Sequence, residues 1–181
     1  MIAYKGFNKD LTCTLGKGKY QYEIGKTYEE EEAQCAQCGF HCVEEPIRVL
    51  DWYKDGRWCV VDVQDIHEDG SDKISAKRMR IVKELSLHQL YAHEAAWLMK
   101  HPERICSPRV KKGKGTAEEN DAVIVRGANP KARGQKGALL LLLREKKGKQ
   151  TEVFAYQVDG EKVKEMKWYG WEGERDDKER T

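Results

Sequence analysis

Three thiols and one imidazole lie within eight consecutive residues, and these are groups that soft metals and redox chemistry use. The run is Cys35-x2-Cys38-x2-His41-Cys42, and its first pair has the spacing of a zinc knuckle. Buried thiols without metal are the favoured interpretation, because neighbouring side chains on a strand point to opposite faces and would separate His41 from Cys42. We therefore expect no cofactor and keep a zinc site as an alternative.

The elements around this run predict an α+β fold. The segment Ile2–Phe7 favours a first strand, and the β-branched and aromatic run Arg57–Val63 favours a buried strand in the centre of a sheet. A short strand is also predicted over Met79–Val82. The sheet should be mixed or antiparallel.

Two main helices are predicted in the first half of the chain. Glu44-Glu45-Pro46 resembles a helix start with proline in the first turn, and this helix of about two turns should end near Lys54–Gly56. A second helix begins at the capping box Ser86-Leu87-His88-Gln89, carries an apolar stripe at spacings of three and four, and ends before His101-Pro102.

We predict an N-terminal α+β domain over 1–106 and a basic flexible linker over 107–121, where glycine, lysine and arginine predominate. A small β-rich C-terminal unit should cover 122–172, followed by a charged tail over 173–181. Within 122–172, small residues at short intervals favour stacked β coils or a compact β-meander. The Asp159-Gly160 turn predicts a hairpin between strands at Val153–Val158 and Lys162–Trp168.

The near-neutral net charge of +2 conceals opposed blocks along the chain. Residues 1–70 carry 8 basic and 14 acidic side chains, whereas residues 111–150 carry 11 and 4. A basic segment can contact an acidic partner or a phosphate backbone, but no aromatic-interleaved nucleic-acid motif accompanies it. A protein partner is therefore favoured over nucleic acid, with Lys111, Lys112, Lys114 and Arg126 as contacts.

We expect a soluble protein of the cytoplasm. The start Met1–Lys5 lacks the charged and apolar regions of a signal peptide. The longest apolar run, Ala138–Leu143, is far shorter than the roughly 20 residues that span a bilayer. No membrane partner is predicted.

Several ordered motifs are similar to those of an uncharacterised domain family found in phage, prophage and gut-bacterial proteins. They are Tyr4–Cys13 (YKGFNKDLTC), Tyr22–Tyr28 and the Gly39–Cys42 motif GFHC. The resemblance covers roughly residues 1 to 90 and implies a phage-associated protein in an infected or lysogenic bacterial host, without implying a reaction. In the second half, Val158-Asp159-Gly160 and Trp168-Tyr169 also resemble that family.

A weaker resemblance, over about 60 residues, is to the core of ADP-ribosyltransferases. It implies that Lys5 on the first strand takes the basic role toward a nicotinamide dinucleotide, with His41 and Tyr53 lining the cleft. The sequence departs from that superfamily in having Lys5 where arginine or histidine is usual, and it offers no clear catalytic glutamate on a late strand.

The leading functional hypothesis is a non-enzymatic phage or prophage accessory protein that binds a macromolecule, with a host defence component as one partner. The rival is a divergent ADP-ribosyltransferase-like enzyme or nucleotide-binding protein. A zinc-stabilised structural domain is the third interpretation.

Overall fold

The computed structural model describes residues 1–13, 20–103 and 106–175, without the side chains of 173–175. Its contacts divide the chain into two units, Met1–Ser86 and Leu87–Thr181, named here unit 1 and unit 2. The predicted α+β class is confirmed, because unit 1 combines an antiparallel sheet with a short helix and unit 2 combines one helix with a β-rich body.

Unit 1 contains seven described strands and one 3-10 helix. Their bounds are β1 Ile2–Phe7, β2 Thr12–Cys13, β3 Tyr20–Gln21, β4 Thr27–Glu29, β5 Phe40–Cys42, the 3-10 helix Pro46–Asp51, β6 Arg57–Glu68 and β7 Ile74–Leu85. Strands β1, β6, β7 and β4 lie side by side in that order, β5 also pairs with β7, and β2 pairs with β3. Every one of these pairings is antiparallel.

The long β6–β7 hairpin forms the centre of the unit 1 sheet. The strand predicted over Arg57–Val63 lies between β1 and β7, as expected for a run of β-branched residues that is largely buried. The strand predicted over Met79–Val82 lies within β7. Val61, Met79 and Ile81 are fully buried in the core beneath these strands, where burial of apolar surface stabilises the unit.

The first predicted helix is a 3-10 helix. Pro46 occupies its first turn, as expected, and Ile47, Val49 and Leu50 are buried. It ends at Asp51 instead of continuing to the predicted Lys54–Gly56, because short i-to-i+3 helices seldom extend beyond a few residues.

In its described residues, unit 2 contains one α-helix and six strands. Its bounds are α1 Leu87–Lys100, β8 Lys111–Ala117, β9 Ala122–Gly134, β10 Leu139–Lys146, β11 Lys149–Gln157, β12 Trp168–Gly170 and β13 Gly173–Arg175. Within the described ranges, the structure has no helix long and apolar enough to cross a bilayer.

The second predicted helix is confirmed in its bounds but belongs to unit 2, not to the predicted domain over 1–106. Ala95 and Leu98 of α1 pack in one cluster with Ile124, Leu141 and Leu143. The apolar stripe predicted a helix correctly, but a stripe does not specify which sheet it will contact.

The structure also differs from the predicted flexible linker over 107–121, because β8 pairs in parallel with β9 there. Few apolar side chains are needed to order this segment, since its backbone groups bond to β9. Gly115 has a packing role: a Cβ there would lie 2.6 Å from Cγ2 of Val125 and 2.8 Å from Cγ2 of Val123. Close packing requires glycine at this position.

Strands β8, β9 and β10 form stacked parallel coils. Ala117 pairs with Gly134, and Ala122 pairs with Leu139, so in both cases the partner lies 17 residues further along the chain. The turns stack as well, because the amide of Leu139 donates to the carbonyl of Asp121 at 2.9 Å. Of the two predicted arrangements, stacked coils describe β8 to β10, whereas β10 and β11 form an antiparallel hairpin.

The hairpin predicted at Asp159-Gly160 is wrong. Oδ1 of Asp159 accepts hydrogen bonds from the amides of Glu161, Lys162 and Val163 at 2.8 to 2.9 Å. The side chain thus closes a local loop, and the next strand is β12, which pairs with β9. Of the predicted tail, Gly173–Arg175 forms β13, and residues 176–181 lie outside the described part of the chain.

Gly137 provides a test of the coil stacking. Its φ is +79°, and an added Cβ would lie 2.0 Å from Oδ1 of Asn120; Gly148 has φ +78° with open space around it. Gly148→Ala should cost about 1 kcal/mol for the left-handed backbone alone. Gly137→Ala should cost at least about 1 kcal/mol more, measured by urea unfolding. Equal losses would show that the two turns are not packed as described.

Candidate functional site

A pocket of about 480 Å³ opens in unit 1. It is bounded by β1, by β5 and the residues before it, and by the chain that follows the 3-10 helix. The three residues singled out by the second resemblance, Lys5, His41 and Tyr53, all line it. Six aromatic residues also line it, namely Tyr4, Tyr20, Tyr22, Phe40, Trp52 and Tyr53.

Lys5 brings a buried positive charge to this pocket. Its side chain lies on β1, a strand buried from its second residue onward, and only 5% of the residue is exposed. Nζ donates a hydrogen bond of 2.6 Å to the backbone carbonyl of His41. It also lies 5.6 Å from the centre of the Phe7 ring and 6.0 Å from that of Tyr22. These contacts stabilise an ammonium that would otherwise be costly to bury.

His41 presents an unsatisfied nitrogen. On β5 it alternates with the buried residues Phe40 and Cys42, so its ring lies on the other face of the strand. Its Nε2 atom is buried and has no hydrogen-bond partner among the described residues. Burial lowers the pKa of His41, and the positive charge of Lys5 lowers it further. The ring is therefore neutral at pH 7, and its Nε2 atom keeps an unused hydrogen-bonding position.

Tyr53 lies directly over the backbone of β1. A Cβ at Gly6 would lie 2.6 Å from Cδ2 of Tyr53, so only glycine permits this contact. The hydroxyl of Tyr53 is 3.0 Å from Sγ of Cys13, and Nε1 of Trp58 donates to the Tyr53 carbonyl at 2.7 Å. These contacts fix the ring as one wall of the pocket.

A cluster of aromatic rings forms another part of the wall. The rings of Tyr20 and Tyr22 are stacked with centroids 4.8 Å apart, and Tyr28 contacts Tyr22 edge to face at 5.0 Å. Phe40 lies edge to face with both Tyr20 and Tyr22. Burial raises the pKa of Tyr22, so its hydroxyl stays protonated. Such rings supply flat apolar surface with a few polar atoms, as ligand pockets commonly do.

Lys73 and Trp52 form a second cationic contact among the lining residues. Nζ of Lys73 lies 4.5 Å from the centre of the Trp52 ring, and 37% of Trp52 is exposed. Glu30 also lines the pocket and adds a carboxylate. Reasoning from the sequence did not identify Trp52, Lys73 or Glu30 as site residues. No short motif marks them, because they come from three different connections.

The four candidate zinc ligands are not gathered into one cluster. Cys38, His41 and Cys42 line the pocket, but the thiol of Cys35 donates to the carbonyl of His67 at 3.1 Å. Across the described ranges, no group of three or more His, Cys, Asp or Glu side chains is placed to hold a metal ion. The alternation along β5 separates His41 from Cys42, as the sequence suggested.

Cys35 and Cys42 also lack the features of a nucleophile. Burial raises the pKa of Cys42 to about 12 and also raises the pKa of Cys35. Both side chains are therefore neutral thiols at pH 7, whereas a catalytic cysteine needs a lowered pKa.

The four predicted partner contacts lie in unit 2 and differ in their exposure. Lys111, Lys112 and Lys114 are exposed on β8. Arg126, in contrast, donates to Oε1 of Glu145 at 2.9 Å, and Glu145 is largely buried. The charge of Arg126 is thus balanced within unit 2, and we remove it from the set of candidate contacts.

Comparison with family models identifies the N-terminal part of the chain. Residues 1–93 match the model described as "Domain of unknown function (DUF7666)", and the chain belongs to this family. Comparisons with curated proteins and with solved structures gave no match. The match agrees with the predicted extent of an uncharacterised domain over about 90 residues, and the family description assigns no activity.

The charge coupling between Lys5 and His41 can be measured. A lowered pKa means that the unfolded chain binds more protons than the folded one, so this contribution to stability is lost as the pH falls below His41's ordinary pKa of 6.5. NMR titration should give a pKa below 6.5 for His41. Lys5→Met should raise that pKa more than Lys73→Met does, because the effect of Lys5 is the larger. An unchanged pKa in Lys5→Met would contradict the coupling.

Proposed function

We propose that unit 1 binds a small ligand that combines a planar ring with an anionic group, as nucleotides do. The observation that carries this proposal is the unsatisfied Nε2 of His41 in a pocket that already holds the buried ammonium of Lys5. Leaving a buried polar atom without a partner costs about 1 to 3 kcal/mol. A ligand that hydrogen-bonds to this nitrogen would recover part of that energy.

The composition of the pocket supports this class of ligand. Its volume of about 480 Å³ lies within the range of roughly 300 to 1,000 Å³ common for small-molecule sites. Aromatic rings offer stacking surface to a planar group, and Lys5 and Lys73 offer positive charge to a phosphate or carboxylate. The resemblance to ADP-ribosyltransferases makes nicotinamide dinucleotide the first compound to test.

This proposal concerns binding and includes no reaction. No clear catalytic glutamate was found on a late strand of the sequence, and the carboxylate that lines the pocket, Glu30, follows the early strand β4. The chain is therefore proposed to sense, carry or sequester its ligand.

Titration calorimetry with nicotinamide dinucleotide tests the pocket. The wild-type chain should bind, and Lys5→Met should weaken binding by at least about tenfold, because a charge-assisted hydrogen bond contributes about 1.5 to 3 kcal/mol. Lys83→Met, at an exposed position of β7, is the matched control and should leave the affinity unchanged. If Lys5→Met does not fold, the affinity of Trp52→Leu is measured in its place. Trp52 is partly exposed, so its replacement should disturb the fold less.

Failure of nicotinamide dinucleotide, ADP-ribose and adenosine monophosphate to bind to the folded wild-type chain would refute the nucleotide proposal. An equal loss of affinity in Lys83→Met would show that the binding is not at this pocket.

The second candidate function is binding of a macromolecular partner through unit 2, in a phage or prophage accessory role with a host defence protein as one possible target. The specific observation in its favour is the exposure of three lysines, Lys111, Lys112 and Lys114, along one seven-residue strand. Such a cluster can steer an acidic partner to the surface.

Charge reversal tests this second function. Lys111→Glu, Lys112→Glu and Lys114→Glu combined should abolish capture of partners from lysate of a bacterial host. Arg126→Glu should act mainly by disturbing the pair with Glu145, so it should lower the unfolding temperature more than the triple variant does. Identical capture by the wild type and a folded triple variant would refute the basic-surface mechanism.

A further inference from the structure

The outward side of the sheet formed by the ends of β8 and β9 with β12 carries a group of basic and aromatic residues. Lys114 pairs with Lys131, and Thr116 pairs with Arg133. Because side chains alternate along a strand, these four lie on one side of the sheet, whereas the intervening Ala117, Ala132 and Gly134 are buried. Strand β12 adds Trp168 to the same surface, since its neighbour Tyr169 is buried opposite Ala132.

We call this surface the basic-aromatic face and define it as Lys114, Lys131, Arg133 and Trp168. The ring of Trp168 contacts two of its cations. Nζ of Lys114 lies 5.0 Å from the centre of the Trp168 ring, and the guanidinium carbon of Arg133 lies 4.7 Å from it. Arg133 also donates to Oγ1 of Thr116 at 3.3 Å. The two cationic side chains are thus partly ordered before any partner binds, which lowers the entropy cost of binding.

The spacing of the charges suits a chain of anions. Paired residues on neighbouring strands are about 5 Å apart, and alternate residues along a strand are about 7 Å apart. Three cations therefore lie within one Debye length of about 8 to 10 Å. A partner with closely spaced negative charges could contact all three at once and release its own counterions.

A single-stranded nucleic acid fits this face better than an acidic polypeptide does. Surfaces for single strands combine a basic track with an aromatic side chain against which an unpaired base can pack. The basic-aromatic face has both features on a sheet, and Trp168 remains partly exposed. A run of acidic side chains would use the cations but offers no aromatic group to the ring.

We propose that the basic-aromatic face binds single-stranded nucleic acid, with phosphates at Lys114, Lys131 and Arg133 and a base against Trp168. This inference rests on the second proposed function, to which it adds the chemical class of the partner. It departs from the expectation that a protein partner is favoured, because the aromatic residue missing from the basic segment of the sequence is supplied by β12.

Fluorescence anisotropy with a labelled oligothymidylate tests the proposal on the full chain. The combined variant Lys114→Gln, Lys131→Gln and Arg133→Gln should weaken binding at least tenfold and reduce the slope of log affinity against log salt by about 2, at ~0.7 per phosphate contact. The matched control replaces two exposed lysines and one exposed arginine of unit 1, as Lys77→Gln, Arg80→Gln and Lys83→Gln combined. This control variant should bind like the wild type.

Trp168→Leu gives an independent readout. It should weaken binding without changing the salt slope, because a stacking contact releases no counterions. Thermal unfolding of each variant establishes that it is folded. Wild-type binding by Trp168→Leu and by the folded triple variant would overturn the proposal.

Polyglutamate separates this inference from the function on which it rests. If polyglutamate binds to the wild type and not to the triple variant, while oligothymidylate does not bind, the nucleic-acid inference is overturned and the second proposed function stands. If oligothymidylate, polyglutamate and host lysate all give no binding, both are overturned. Binding of oligothymidylate with the expected losses, and little binding of polyglutamate, supports the inference.

Discussion

The hydrogen bond from Lys5 to the carbonyl of His41 is the interaction on which the unit 1 site depends. It links β1 to β5 next to the two backbone hydrogen bonds between Tyr4 and Val43, and it gives a buried ammonium an acceptor that it requires. The same bond places a positive charge beside the imidazole of His41, where it depresses the pKa. This contact therefore contributes both to the geometry of the pocket and to its electrostatic character.

A comparable constraint in unit 2 is backbone stacking, in which most pairing partners are 17 residues apart in the chain. Parallel pairing normally requires a long crossover, but coils avoid this because each strand stacks directly on the preceding turn. Small residues make the stacking possible: Gly115 lies against Val123 and Val125, and Gly137 against Asn120. A composition that suggests a flexible linker thus becomes an ordered strand once its neighbours are in place.

The sequence predicted the local elements well where a periodic pattern and burial coincided. The first strand, the Val-rich strand and the helix ending before His101 are found within a few residues of their predicted bounds. Predictions that depended on turn chemistry or composition fared less well. Asp159-Gly160 closes a loop by side-chain capping, and the lysine-rich segment is ordered by hydrogen bonds that its own residues do not reveal.

By itself, the sequence determined the α+β class, the main strands and helix, and the residues with chemical potential, because these follow from local propensity and side-chain type. Only the tertiary structure decided which of them meet. It brought Lys5, His41 and Tyr53 to one pocket, paired the thiol of Cys35 with the carbonyl of His67, and placed Trp168 beside Arg133. The physical reason is that strand pairing joins residues far apart in the chain, and no local pattern encodes the register of those pairings.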